Sequence, residues 1–238
     1  MSRYYTKACN FYYGLKSKTL VKKKKTLPLN GNSEISFDKI EIISRKSNKI
    51  INLDEIYKLP INLKKKIKED IENISSKKNI KNLSFGAIPK VMGVLNVTPD
   101  SFSDGGKFNR VSSAKKHLDY LFKCGANVVD IGGESTRPGS RPISSKVEWK
   151  RIKGILKKSD NKKLISLDTR KSDIMEKGIK LGVNLINDIS GLNYDNRSAK
   201  VLKRYNVPFV LQHSQGNPDV MQKNPRYKNV LLDIYDFF

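Results

Sequence analysis

Acidic residues are scarce in this 238-residue chain: 23 Asp and Glu stand against 47 Lys and Arg, a formal net charge of +24. Cysteine is scarcer. Cys9 and Cys124 lie in different regions, which argues against a disulfide-stapled scaffold and fits free thiols in a reducing, cytoplasmic compartment. No stretch approaches the roughly 18 consecutive apolar residues that a membrane span requires. No charged start with an apolar core and cleavage site is present, so a secretory signal is not expected. The phosphate-binding signatures of open α/β sheets, a G-x-G-x-x-G turn or a P-loop, are also missing. The charge excess makes nucleic-acid binding a rival reading. However, the lysines are spread over helix faces and linkers among many Asn and Ile, as a codon bias toward A and T would produce. Neither a nucleic-acid nor a membrane partner is expected.

What is present is a repeated arrangement of apolar runs ending in polar loops. Val91–Leu95 reads as a short buried strand, followed by Asn96 and a loop rich in Thr, Asp, Ser and Gly through Gly106. Pro99 restricts Thr98 to extended conformations. Ser112–Cys124 places Ala114, Leu118, Leu121 and Phe122 on one helical face, with Gly125 positioned to end the helix. Four further strands are expected at Val128–Ile131, Leu164–Leu167, Val183–Ile186 and Val207–Leu211, with helices at Val147–Leu156, Ser172–Leu181 and Ser198–Tyr205. A last helix starts near Tyr227. Each strand ends in polar residues: Glu134 to Arg137, Asp168-Thr169-Arg170, Asn187-Asp188, and Gln212-His213-Ser214.

Strands alternating with helices imply a parallel sheet, because crossover helices return the chain to the same end. Asn96, Glu134, Thr136, Asp168, Asn187 and His213 are therefore expected around one opening. In a barrel that face carries the site, and without nucleotide-binding signatures a barrel is favoured over an open doubly wound sheet.

Five segments carry a family resemblance: NVTPDSFSDGG (Asn96–Gly106), DIGGESTRPG (Asp130–Gly139), ISLDTRK (Ile165–Lys171), INDISGL (Ile186–Leu192) and QHSQGNP (Gln212–Pro218). Over residues 90–238 the chain resembles the dihydropteroate synthases, in which these motifs occur in the same order. The resemblance implies an α/β fold, a (β/α)8 TIM barrel of which about five of eight strand–helix units are present. It also implies condensation of 6-hydroxymethyl-7,8-dihydropterin diphosphate with p-aminobenzoate to give 7,8-dihydropteroate and pyrophosphate. The family's later strands carry a second pterin-binding aspartate, a lysine and an arginine–histidine pair, and none has a counterpart here. The expectation is a truncated chain, inactive and poorly soluble alone, and a homodimer when full length.

By the resemblance, Asn96 binds the Mg2+ carried by the diphosphate, the alternative being a loop cap. Thr136, Arg137 and Pro138 belong to the loop shaping the p-aminobenzoate site, with Arg137 otherwise a structural partner of Glu134. Asp168 accepts hydrogen bonds from the pterin edge, against an alternative as a helix N-cap. Asn187 addresses the same heterocycle, against a turn-forming role beside Asp188. Thr136 also contributes to binding the pterin diphosphate. Asp168 and Asn96 are the catalytic candidates. His213 is read as structural, and Gln212 stands where the family often has methionine. A folate-dependent methyltransferase barrel, which lacks the diphosphate, has little use for the loops at Asn96–Gly106 and Glu134–Gly139. A binding-only remnant is the other alternative.

Residues 1–89 differ in character and are read as an N-terminal extension or cap, α+β or partly disordered. Ile35–Ile43 fits a strand or two. Pro60–Ile74 is an amphipathic helix with Pro60 in its first turn, Ser75–Asn82 is a linker, and residues 16–34 have a disordered tail as the competing reading.

Overall fold

The computed structural model describes residues 3–78, 80, 89–98, 110–135, 140–157, 163–216 and 224–238. The chain divides into two compact units, Met1–Asn79 and Ile80–Phe238.

The first unit is a small antiparallel sheet with helices. The long central strand β3 (Asn32–Ile43) pairs on one side with β1 (Tyr5–Tyr13). Its other side is shared by β2 (Leu27–Leu29) and β4 (Asn48–Asn52). A 3-10 helix (Leu53–Lys58) and helix α2 (Ile61–Ser75) follow. Ile67 and Ile71 of α2 join Phe37, Ile40 and Ile51 in one apolar core. Thr6 Oγ1 donates to Asp70 Oδ2 at 2.6 Å, tying β1 to α2. The segment 16–34 is ordered rather than a tail: helix α1 (Gly14–Lys22) packs on β3, and the Ser17 hydroxyl donates to Ser33 O at 2.7 Å. Pro60 sits at the N-cap of α2, one residue before its first turn.

The second unit alternates strand and helix. β5 (Met92–Asn96), α3 (Arg110–Lys123), β6 (Val128–Gly132), α4 (Ser145–Leu156), β7 (Leu164–Asp168), α5 (Ser172–Lys180), β8 (Leu185–Asp188), α6 (Ser198–Tyr205), β9 (Phe209–Leu211) and α7 (Val230–Phe237) follow in order. The five strands form one parallel sheet in sequence order. Side chains facing the helices are apolar and buried: Leu95, Val129, Ile131, Ile165, Leu167 and Ile186. Period-2 alternation leaves the other face to Val94, Asp130, Ser166 and Leu185 in one layer, and to Asn96, Gly132, Asp168 and Asn187 in the next.

Three strand expectations need correction. The first strand is shifted by one residue and only Leu95 in it is buried: Val91 (57 %), Met92 (41 %) and Val94 (58 %) are exposed. Among the described residues β5 has a neighbour on one side only, so apolar content did not translate into burial. The fourth strand begins at Leu185 rather than Val183. Asn184 bridges to the adjacent strand through its side chain, with Ile165 N donating to Asn184 Oδ1 at 2.9 Å. The fifth begins at Phe209, which with Val210 is exposed at the other edge. No helix among the described residues is long and apolar enough to cross a membrane.

Helix α5 lies close against β7 because Gly178 has no side chain. A Cβ there would fall 2.4 Å from Leu167 Cδ2, and Leu167 is fully buried. Gly178→Ala should therefore cost about 1–3 kcal/mol by overpacking, outweighing its gain in helix propensity. A lowered denaturant midpoint at unchanged slope is the expected result.

Candidate active site at the strand ends

Parallel pairing fixes the site. Asn96 is the register partner of Gly132, Gly132 of Asp168, and Asp168 of Asn187. Four adjacent strands thus contribute one position each to a single row on the face away from the helices. Gly132 is the gap in that row. A Cβ on it would sit 3.3 Å from both Asn96 Oδ1 and Asp168 Oδ2, so the missing side chain leaves a cradle flanked by an amide and a carboxyl oxygen.

One layer below, Asp130 is buried and accepts a hydrogen bond from Asn187 Nδ2 at 2.9 Å. This contact sets the Asn187 amide, whose Oδ1 accepts no hydrogen bond among the described residues. Burial pushes the Asp130 carboxyl above its ordinary range, with the Ser166 hydroxyl and the Asn187 amide offsetting part of the effect. Asp168 is pushed further, up to about 8. Burial is the main cause, followed by the negative charges of Asp130, Glu148, Glu134 and Asp188.

Behind the row lies a cluster of buried charges. Glu134 accepts from Arg170 Nε (3.1 Å), Lys171 Nζ (2.9 Å) and Ile143 N (2.9 Å). Lys171 also donates to Glu148 Oε2 at 2.5 Å. Burial opposes ionisation of Glu134, but these donors outweigh it and hold the group below its ordinary value. The Arg170 guanidinium lies over the Tyr194 ring, 4.0 Å from its centroid. Arg151 Nη1 donates to Gly133 O at 2.7 Å, holding the start of the following loop.

Asn96, Asp168 and Asn187 share the row. Glu134 does not join them: it is 6 % exposed and committed to Arg170 and Lys171. Thr136, Arg137 and Pro138 lie outside the described residues. Asp168 does not cap α5, whose first-turn amide, Ser172 N, instead donates to Asp195 Oδ2 at 3.0 Å. Nor is Asn187 the turn former. Asp188 fills that role, accepting from Ser190 N (2.8 Å) and Leu192 N (3.1 Å). His213 packs among Tyr227, Phe237 and Phe238, and its Nε2 lies 3.0 Å from Tyr227 Oη. Asp130, Arg170 and Lys171 stand inside the quoted motifs with no role assigned to them, and Glu148 was not singled out. A carboxylate within an otherwise apolar strand, at Asp130, was the available signal.

Five parallel strand–helix units with a polar row at their carboxyl ends have the arrangement of an α/β barrel, in which that face carries the site. The chain belongs to the pterin binding enzyme family, whose pattern matches residues 92–238. It is 44 % identical over 156 residues to the dihydropteroate synthase of Clostridium beijerinckii, covering 65 % of this chain and 55 % of that one. To the Escherichia coli K12 dihydropteroate synthase it is 39 % identical over 152 residues, 63 % of this chain and 54 % of the relative. The chain thus spans about half the length of the curated relatives it matches. Among solved structures, a Clostridium difficile dihydropteroate synthase determined with pteroic acid superposes with a TM-score of 0.60 at 39 % identity, covering 66 % of this chain and 58 % of that one. The Yersinia pestis dihydropteroate synthase in a sulfonamide complex gives 0.59 at 37 % identity, covering 68 % and 59 %. These likenesses identify the sheet as part of a TIM barrel.

Two outcomes follow from the charges. Lys171→Met leaves Glu134 and Glu148 buried without their shared cation and should destabilise the fold by about 3–5 kcal/mol, read from urea denaturation. Asp168 keeps its proton in the folded state up to about pH 8, but releases it near 3.8 when unfolded. The folded state therefore binds more protons between these values, and stability falls as pH rises through that window. Asp168→Asn should flatten the fall between pH 5 and 8, seen as a urea midpoint that changes less with pH than in the parent chain.

Proposed function

We propose that this chain acts in folate synthesis as a dihydropteroate synthase, joining 6-hydroxymethyl-7,8-dihydropterin diphosphate to p-aminobenzoate with release of pyrophosphate. The observation that carries this reading is the row Asn96–Gly132–Asp168–Asn187: two hydrogen-bonding side chains and one carboxyl on a single face, with a cradle at the glycine. The family membership supports the same conclusion.

Asp168 is protonated in the empty site up to about pH 8, but a pterin edge presents adjacent N–H donors, whose hydrogen bonds favour the charged form; on binding the carboxyl releases its proton to solvent and its two oxygens accept those donors together. Asn187, its Nδ2 held by Asp130, offers Oδ1 to the same ring. A carboxylate beside the ring stabilises positive charge developing there as the C–O bond to the diphosphate breaks. The bonding pair leaves with pyrophosphate, and the p-aminobenzoate nitrogen attacks the methylene carbon and loses a proton. Thr136, Arg137 and Pro138 are assigned to the p-aminobenzoate side, and Thr136 also to the diphosphate.

The donor set near Asn96 fits Mg2+ only as an ion brought with the substrate. The cradle offers one neutral amide oxygen, from Asn96, and one carboxyl oxygen, from Asp168, and no group of three or more His, Cys, Asp or Glu suited to a metal occurs among the described residues. Mg2+ accepts such an arrangement because it retains waters and phosphate oxygens in its shell. When bound, it would neutralise charge on the departing pyrophosphate. The reading places the enzyme in the cytoplasm, in keeping with the free thiols of Cys9 and Cys124, and as a homodimer when full length.

Calorimetric titration separates the roles. Asp168→Ala should weaken 6-hydroxymethyl-7,8-dihydropterin and its diphosphate alike, by at least about 30-fold, the loss of charge-assisted hydrogen bonds. Asn96→Ala should weaken only the diphosphate, and only with Mg2+ present. Unchanged binding in Asp168→Ala would overturn the reading of the row. Equal loss of both ligands in Asn96→Ala would remove Asn96 from the diphosphate side.

A further inference from the structure

The N-terminal unit contains a cleft of about 1040 Å3 that the proposed reaction does not use. Its size is at the upper end of what small-molecule sites occupy. Leu20 of α1, Leu27 of β2, Leu53 and Ile56 of the 3-10 helix, and Ile71 of α2 give it an apolar lining, to which Tyr12 and Tyr57 add aromatic surface.

Lys24, Lys25 and Lys68 also line the cleft. All three are exposed, and among the described residues none of their ammonium groups is in an ion pair. Three acidic residues line it as well. Asp38 is already committed: its Oδ1 accepts from Asn10 Nδ2 at 2.7 Å and its Oδ2 from Tyr12 Oη at 2.9 Å. Asp54 and Glu72 remain against the three lysines. The wider field settles the sign, because residues 1–79 carry nineteen Lys and Arg against eight Asp and Glu.

Thr26 provides an independent observation. It lines the same cleft, is 4 % exposed, and its Oγ1 has no hydrogen-bond partner among the described residues. A buried hydroxyl without a partner is unfavourable unless something else completes the bond.

We propose that this cleft binds a small organic anion. Its apolar body lies against Leu20, Leu27, Ile56 and Ile71, its carboxylate or phosphate-type head lies among Lys24, Lys25 and Lys68, and the Thr26 hydroxyl supplies a hydrogen bond. Apolar lining and cations on one cleft select for a molecule that is both; a neutral apolar compound leaves the lysines unused, and an inorganic anion leaves the lining unused.

Hydrogen–deuterium exchange on the full chain tests this with three probes: 2-naphthoate, decanoate and neutral 2-naphthamide. At least one anion should slow exchange in peptides covering residues 20–29 and 53–58, and the stronger of the two distinguishes an aromatic from an aliphatic body. The combined variant Lys24→Glu, Lys25→Glu, Lys68→Glu should weaken that protection at least tenfold, and its exposed positions leave the fold intact. Thr26→Val should weaken it about threefold. Protection by neither anion, equal protection by 2-naphthamide, or undiminished protection in the charge-reversed variant would overturn the proposal.

Discussion

Register pairing between parallel strands is the constraint on which the site depends. Four residues far apart in sequence reach one row because Asn96, Gly132, Asp168 and Asn187 are successive partners across β5, β6, β7 and β8. A slip of one residue in any pair would turn that member toward the helices. The register is held by the opposite face, where Leu95, Ile131, Leu167 and Ile186 are buried to within 1 %. Exposing even one of these forfeits on the order of 1.5–3 kcal/mol. The polar row is thus positioned by apolar packing on the other side of the same strands.

Electrostatics divides the acidic residues into two groups. Glu134 and Glu148 lie beside Arg170 and Lys171, and their charges are answered by hydrogen-bonded cations at 2.5–3.1 Å. Asp130 and Asp168 have no such partner among the described residues and are pushed toward their protonated forms. The first pair braces the segment after β6 against the one after β7. The second pair is left short of positive charge and of donors on the open face. A heterocycle bearing N–H groups meets that deficit, whereas an anion placed directly on Asp168 would worsen it.

Much of this was legible in the sequence for a physical reason. A short apolar run followed at once by a polar residue marks a strand's carboxyl end, and parallel strands share that end. Asn96, Asp168 and Asn187 therefore come together by topology alone. Burial was less legible. The run Val91–Leu95 has the composition of a core strand, yet Val94 faces away from the helices at the sheet's edge, and nothing local encodes an edge. The partner of Glu134 was equally hidden. Among the described residues its cationic contacts come from Arg170 and Lys171, more than thirty residues away and brought near by the crossover. At β8, Asn184 N donates to Ile165 O while its side-chain Oδ1, not its backbone carbonyl, accepts from Ile165 N, and the regular strand starts at Leu185, two residues later than its apolar pattern suggests.

The inner face of the sheet has a polarity gradient that follows from the same alternation. Its middle carries Asp130, Ser166, Asp168 and Asn187, while its flanks carry Met92 and Val94 on one side and Val210 on the other. Apolar flanks exposed at 41–58 % are costly in water, and the cost is removed when neighbouring strands cover them. In a closed barrel inward side chains stack in layers, so covering the flanks would also lower the dielectric around the polar centre. That would strengthen each hydrogen bond Asp168 and Asn187 make to a ring and raise the cost of leaving either unpaired. Closure of the apolar flanks and discrimination for a donor-bearing heterocycle are therefore two consequences of one side-chain alternation.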